Sequence, residues 1–235
     1  MNALQMKTAC ALFAMAGIAM TASAGAATDS DAVMTELQHG WAQANYQTPE
    51  DQQEKTFEAL IAKAEQAVKE NPGKPELLAW EAIILSSYAK VQGGFGAMDS
   101  VEKARDLLLE AIKIDDKTLG GGVYTSLGAL YYKVPGWPIG FGNDAKAKEM
   151  LERGLAMNPD GIDQNYFYGD FLLDQGDKEK AKEYLTKALN APPRPGRAVP
   201  LAPRHTGAPP SPLAALPRRP PRRRRGRAAL PDPPL

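Results

Sequence analysis

The chain has 235 residues, 43% of them hydrophobic and 24% charged, with a formal net charge of zero. One cysteine and two histidines are too few for a disulfide framework or a Cys/His zinc site. The cysteine, Cys10, lies in an N-terminal segment with the pattern of a removable signal, so no Cys–His catalytic pair is expected either. The zero net charge hides two segments of opposite sign. Residues 27–191 carry 27 acidic and 17 basic side chains, whereas the segment from Arg194 onward carries ten arginines and a single acid, Asp232.

The first 26 residues have the pattern of an export signal. Lys7 is followed by an apolar run over residues 9–21, which is too short to span a membrane. Two small-x-small cleavage motifs follow, at residues 22–24 and 24–26. We therefore predict a signal peptide over residues 1–26, the alternative being a short buried helix.

The same segment also gives expectations about the true start of the chain, its lipidation and the location of the mature protein. Met6 is an alternative to Met1 as the true start, because it shortens the region before the apolar run. Cys10 lies at the start of the apolar run, which is too early for a lipidation site. The mature protein is predicted to be periplasmic or secreted, and not a lipoprotein.

Helical periodicity, capping residues and Pro/Gly breakers predict eight helices in the mature chain, with Thr48 and Asp177 as N-caps. No segment alternates apolar and polar residues as a strand does, so no sheet is expected. The predicted helices cover residues 32–46, 48–70, 75–91, 100–114, 118 or 123–133, 144–157, 163–175 and 178–190.

Two segments of the chain repeat each other. Residues 88–91 (Tyr-Ala-Lys-Val) are followed by Gly-Phe-Gly at residues 94–96, and residues 131–134 (Tyr-Tyr-Lys-Val) by Gly-Phe-Gly at residues 140–142. Each copy ends a predicted helix, crosses a glycine-rich loop and starts another helix. A duplicated helix–loop–helix unit is typical of repeat scaffolds, which usually bind partners.

Small and large apolar residues also recur at fixed spacing in the later helices. Ala147 and Ala181 are 34 residues apart, which is the tetratricopeptide (TPR) period. We predict an all-α, TPR-like α-solenoid of stacked antiparallel helix hairpins over residues 27–193, with two inserted Gly/aromatic loops. The predicted packing positions are Ala104/Leu108/Ala111, Ala147/Leu151/Gly154 and Ala181/Leu185/Ala188, with Leu60/Ala64/Ala67 as a degenerate copy and Gly128 and Gly169 opposite them.

The loop over residues 134–143 is the strongest candidate site. Its Trp137 and Phe141, and Phe95 in the sister loop, either fold back over the solenoid core or rim a ligand groove or subunit interface, where buried aromatic residues carry much binding energy. Tyr132 and Tyr166 are the other groove candidates, whereas Tyr131 and Tyr168 occupy packing positions of the repeat. No residue is assigned to catalysis, to a metal or to a cofactor.

Residues 194–235 form a Pro/Arg-rich tail without aromatic residues or hydrophobic periodicity, and we predict that it is disordered. Its cluster of four arginines at residues 222–225 is one kind of site for nucleic acid, anionic lipid or polysaccharide. The alternative, which we favour, is a frame-shifted C-terminus, because a GC-rich gene read out of frame yields Ala, Pro, Arg and Gly. No nucleic acid is expected to bind the folded domain.

Residues 127–142 (LGALYYKVPGWPIGFG) and 158–163 (NPDGID) resemble bacterial exported TPR proteins similar to the T-component of TRAP transporters. The resemblance covers about residues 75–197. It implies an all-α TPR fold, self-association as a homo-oligomer, and a role beside a periplasmic solute-binding protein. The chain departs from this pattern by lacking a lipidation cysteine and in its tail.

These observations predict a periplasmic protein–protein interaction scaffold without catalysis, serving a TRAP-type solute-uptake system. The alternatives are a component of a transport system that binds a small apolar ligand, and a structural module of envelope assembly. The acidic body favours a partner with basic patches, through an attraction that salt weakens.

Overall fold

The protein is described here by a computed structural model, which covers residues 22–94 and 96–192. Residues 1–21 of the predicted signal peptide, the loop residue Phe95, Pro193 and the predicted tail over residues 194–235 lie outside the described residues.

Within that range the chain forms eight α-helices and one short 3₁₀ turn, with no strand, which confirms the all-α prediction. Asn143 and Asp177 cap the sixth and eighth helices, each accepting a hydrogen bond from a backbone N–H three residues on. The helices are α1 (Ala22–Tyr46), α2 (Glu50–Glu70), α3 (Pro75–Gln92), α4 (Gly96–Ile114), α5 (Gly122–Lys133), α6 (Asp144–Met157), α7 (Ile162–Asp174) and α8 (Lys178–Asn190).

Three details of the helix prediction are corrected. Helix α1 begins ten residues early, in an alanine-rich segment that favours helix, and α4 begins four residues early. Thr48 is not the cap of α2: its hydroxyl donates to the carbonyl oxygen of Gln43, 3.1 Å away, and Pro49 takes the N-cap position. Of the two starts predicted for the fifth helix, residues 118 and 123, the later agrees to within a residue: Thr118–Gly121 is a separate 3₁₀ turn, because the left-handed backbone of Leu119 (φ 54°) interrupts the helix.

The helices pair as four antiparallel hairpins, α1–α2, α3–α4, α5–α6 and α7–α8, and each hairpin also packs on the next. The first helices of the hairpins touch in series, α1 on α3, α3 on α5 and α5 on α7. Helices α3, α5 and α7 are buried on nearly all sides, whereas α1, α2, α4, α6 and α8 bury one face and expose the other. The architecture is a TPR-like α-solenoid.

The predicted repeat positions hold the hairpins together. In α4, α6 and α8 the alanines and glycine of the repeat pattern are all buried, as are Leu108 and Leu151. Opposite them, a Cβ added at Gly128 would lie 2.7 Å from Leu151 Cγ, and one added at Gly169 would lie 2.9 Å from Leu185 Cγ. Paired helices approach this closely only where one of them has no side chain.

No helix in the described part of the chain combines the length and the apolar character needed to cross a membrane.

Candidate functional site

The loop between α5 and α6, residues 134–143, is closed by its own backbone. The N–H of Gly142 donates to the carbonyl oxygen of Pro135 at 2.9 Å, and that of Asn143 donates to Tyr131 at 2.8 Å. Nearer the tip, the N–H groups of Ile139 and Gly140 both donate to Gly136, each at 3.2 Å. These bonds join the two ends of the loop and close its turn.

The base of this loop is aromatic. The ring of Phe141 is half-buried and meets the ring of Tyr131 edge-on, with 5.8 Å between centroids. The guanidinium of Arg105 on α4 lies over the Phe141 ring, with its Cζ 4.6 Å from the centroid. Phe141 therefore folds back onto the solenoid, which is one of the two arrangements that the sequence leaves open.

The tip of the loop does the opposite. Trp137 is 91% exposed and Ile139 is 70% exposed, so neither side chain covers the core. We call these two side chains the apolar knob. Each large apolar side chain left in water forgoes about 1.5–3 kcal/mol of burial free energy. Since the loop itself is closed and packed at its base, the knob is a defined protruding surface.

The first turn of α4, which follows the sister loop, meets the 134–143 loop through Met98. A Cβ added at Gly140 would lie 2.7 Å from Met98 Cε and 2.8 Å from the carbonyl oxygen of Pro135. Only a glycine fits at this point of contact between the first turn of α4 and the loop. Phe95, the aromatic residue of the sister loop, lies outside the described residues.

Tyr132, a groove candidate from the sequence, is placed in the interior. It is 1% exposed, and its hydroxyl donates to Asp170 Oδ2 on α7 at 2.8 Å. Lys133 Nζ donates to the same oxygen at 2.5 Å, and both charged side chains are also buried. Burial and the neighbouring Asp170 carboxylate hold the pKa of Tyr132 well above its ordinary value. Tyr132 therefore belongs to a buried polar cluster that joins α5 to α7.

Tyr166, the other groove candidate, lies half-buried on α7 and meets Phe167 edge-on at 5.3 Å between centroids. It lies on α7, whereas the knob lies in the loop between α5 and α6. Tyr131 and Tyr168 are buried, as their repeat positions predict. The hydroxyl of Tyr168 donates to Glu152 at 3.0 Å, and burial together with this carboxylate raises the pKa of Tyr168 to about 12.

Sequence reasoning missed Arg105 and the Lys133–Asp170 pair. Arg105 contacts a ring that lies in another hairpin, and charged residues on helices usually lie in solvent, so no local pattern marks either feature. The one signal in the sequence is that Lys133, the last residue of α5, is the only charged residue of that helix.

A second buried carboxylate lies on α3. Glu81 is buried and pairs with Lys103 Nζ on α4 at 2.8 Å, and Lys103 also binds Glu65 on α2 at 2.5 Å. Desolvation is the largest influence on the Glu81 pKa and raises it above 4.5, while Lys103 only partly opposes that rise.

Because its pKa is raised on folding, the Glu81 carboxyl favours the folded state below pH 4.5, and this contribution is lost as the pH rises toward the folded-state pKa. Glu81→Gln has no such titration, so we expect the variant to gain stability relative to the parent between about pH 4 and about pH 7. Urea unfolding at both pH values measures the difference. A relative loss at the higher pH would mean that the Lys103 pair outweighs burial.

Among the residues that the structure describes, no three His, Cys, Asp or Glu side chains gather into a group that would hold a metal ion.

The chain was compared with known proteins. The family profile described as Tetratricopeptide repeat matches residues 165–195, which include most of α7 and all of α8. The matched segment contains Gly169 and the predicted Ala181/Leu185/Ala188 packing positions, so the sequence match and the close helix approach coincide. Among curated proteins the sequence has no match.

Proposed function

We propose that this protein is a non-catalytic interaction scaffold that binds a protein partner through the apolar knob, Trp137 and Ile139. The observation that carries the proposal is the 91% exposure of Trp137 on a loop closed by backbone hydrogen bonds. TPR repeats generally mediate protein–protein interactions, and this chain has both the repeat match and the solenoid. A tryptophan is also among the side chains that most often dominate binding energy at protein interfaces.

The finer part of the proposal is the setting. An exported protein, periplasmic or secreted, is supported by the signal-like pattern of residues 1–26. The resemblance of residues 127–142 to T-component proteins supports a place in a TRAP-type uptake system, with a periplasmic solute-binding protein as the partner. In this setting the knob inserts into an apolar recess of the partner.

The closed loop favours tight binding by the knob. A flexible loop would lose conformational entropy when a partner fixed it, at about 1–2 kcal/mol for each residue whose backbone becomes ordered. Here the hydrogen bonds of Gly142 and Asn143 have already ordered the backbone that carries Trp137. The partner therefore gains the burial of two exposed apolar side chains without ordering the loop.

The test is capture of partners from a periplasmic extract by the parent chain and by the variant Trp137→Ala/Ile139→Ala, with protein and small molecules identified by mass spectrometry. We expect the variant to retain at least about tenfold less of the partner, because it removes the centre of the interface. Its free energy of unfolding should change by less than about 0.5 kcal/mol, since both side chains lie in solvent.

The matched control is Ile114→Ala/Leu189→Ala, which removes two other exposed apolar side chains, 45% and 58% exposed, from α4 and α8. This control should retain the partner. Equal retention by all three proteins contradicts the knob as the site. A small molecule without a protein partner would favour a ligand-binding uptake component instead, and capture of neither would favour a structural module.

A further inference from the structure

We infer that Arg105 is the residue that holds the apolar knob in position. The inference rests on the proposed function in one respect, that the position of the knob matters for binding a partner. The contacts of Arg105 themselves involve no partner. Arg105 lies on α4, in the hairpin before the loop, and reaches across to it.

The contact has two halves. The Arg105 guanidinium covers the face of Phe141, with Cζ 4.6 Å from the ring centroid. Its edge is fixed by Asp106, whose Oδ1 accepts from Nε at 2.8 Å and lies 2.7 Å from Nη2. A guanidinium held at its edge by a carboxylate keeps its plane free to stack on a ring.

Phe141 transmits this contact to the knob. Its ring is held between the edge of Tyr131 and the guanidinium of Arg105, so the loss of Arg105 leaves the ring with one of these two neighbours. The next residue, Gly142, makes the hydrogen bond to Pro135 that closes the loop. A Phe141 ring that moves loosens this closure and with it the direction in which Trp137 points.

The arrangement also couples two repeats. The loop joins α5 to α6, whereas Arg105 and Met98 both belong to α4 of the preceding hairpin. The packing of one hairpin on the next thereby sets where the knob stands. Binding of a partner to the knob therefore depends on how the α3–α4 and α5–α6 hairpins pack together.

The test is amide hydrogen exchange, followed by NMR, on the purified parent chain and on Arg105→Ala. We expect exchange of the Gly142 and Asn143 amides to become about tenfold faster in Arg105→Ala, because one of the contacts that holds the loop closed is gone. Arg105→Lys keeps a cation over the ring and should restore part of the protection. Asp106→Asn leaves the Arg105 guanidinium on the Phe141 ring but weakens the contact that fixes its edge. It should therefore give a smaller increase in the exchange rate of the two amides.

The matched control is Arg153→Ala. Arg153 also combines an ion pair, with Glu149, and a stack on a ring, that of Tyr124, with its Cζ 5.7 Å from the centroid. In Arg153→Ala the ratio of the exchange rates of the Gly142 and Asn143 amides to those of the α8 amides should be the same as in the parent chain. A general loss of stability would instead raise exchange in both regions together.

Parent-like exchange of Gly142 and Asn143 in Arg105→Ala overturns the inference, whether or not any partner is found. Capture supplies the second measurement: Arg105→Ala should retain less partner than Arg153→Ala although its knob is intact. Faster loop exchange with undiminished capture would overturn the role of Arg105 in binding. Failure of the knob variant to lose the partner would contradict the proposed function while leaving the exchange result in place.

Discussion

Replacing Asp170 by leucine is expected to lower the free energy of unfolding by about 3–5 kcal/mol, because it leaves a charged lysine unpaired in the interior. Lys133 is 5% exposed and its Nζ is 2.5 Å from Asp170 Oδ2. The same oxygen accepts a hydrogen bond from the Tyr132 hydroxyl, so the substitution also removes the partner of a buried phenol. Urea unfolding followed by circular dichroism measures the loss.

A double-mutant cycle separates the charge from the packing. Lys133→Met alone should also destabilise, because it leaves the Asp170 carboxylate buried without its cation. The pair Lys133→Met/Asp170→Leu should lose less than the sum of the two single variants, since neither charge then remains. Additive losses would show that the two side chains do not interact in solution.

The second large effect is expected at a residue without a side chain. Gly128→Ala should destabilise the protein by about 1–3 kcal/mol, although alanine is favoured over glycine in a helix by about 1 kcal/mol. The added Cβ would lie 2.7 Å from Leu151 Cγ and 3.0 Å from the Leu151 backbone nitrogen. The Leu151 side chain can rotate away from the added Cβ but its backbone nitrogen cannot, so α6 must move away from α5.

The control for this prediction is Gly96→Ala at the start of α4. The three atoms nearest to its added Cβ all belong to the amide end of the flexible Gln92 side chain, which can rotate at the expense of one hydrogen bond from the Ser100 hydroxyl. We expect Gly96→Ala to leave the free energy of unfolding within about 0.5 kcal/mol of the parent. Thermal unfolding of the two variants side by side suffices, and an equally stable Gly128→Ala would disprove the close approach of α5 and α6.

Both predictions concern the platform beneath the knob. Gly128 sets the distance between the helices that flank the loop, and the Lys133–Asp170 pair fixes α5 against α7. The knob is a two-residue surface, so its usefulness to a partner depends on how firmly this platform holds it.

The sequence by itself determined the secondary structure and the repeat. Helix ends depend on caps and on proline and glycine, which act over a few residues, so α3, α6 and α8 agree with prediction to within a residue. The packing positions were readable because the helix period places them on one face, and residues such as Ala147 and Leu151 are buried as expected. The signals at helix ends and the helical spacing of the packing residues both act over a few residues, so they can be read from the sequence alone.

Only the tertiary structure decided which of the candidate residues face solvent. Trp137 and Phe141 lie in the same loop, yet one protrudes and the other packs, because Tyr131 and Arg105 offer a site to one ring alone. Tyr132 is buried, and its hydroxyl donates a hydrogen bond to Asp170, 38 residues later in the chain. Contacts between residues so far apart depend on how the hairpins stack, and no short pattern in the sequence encodes that geometry.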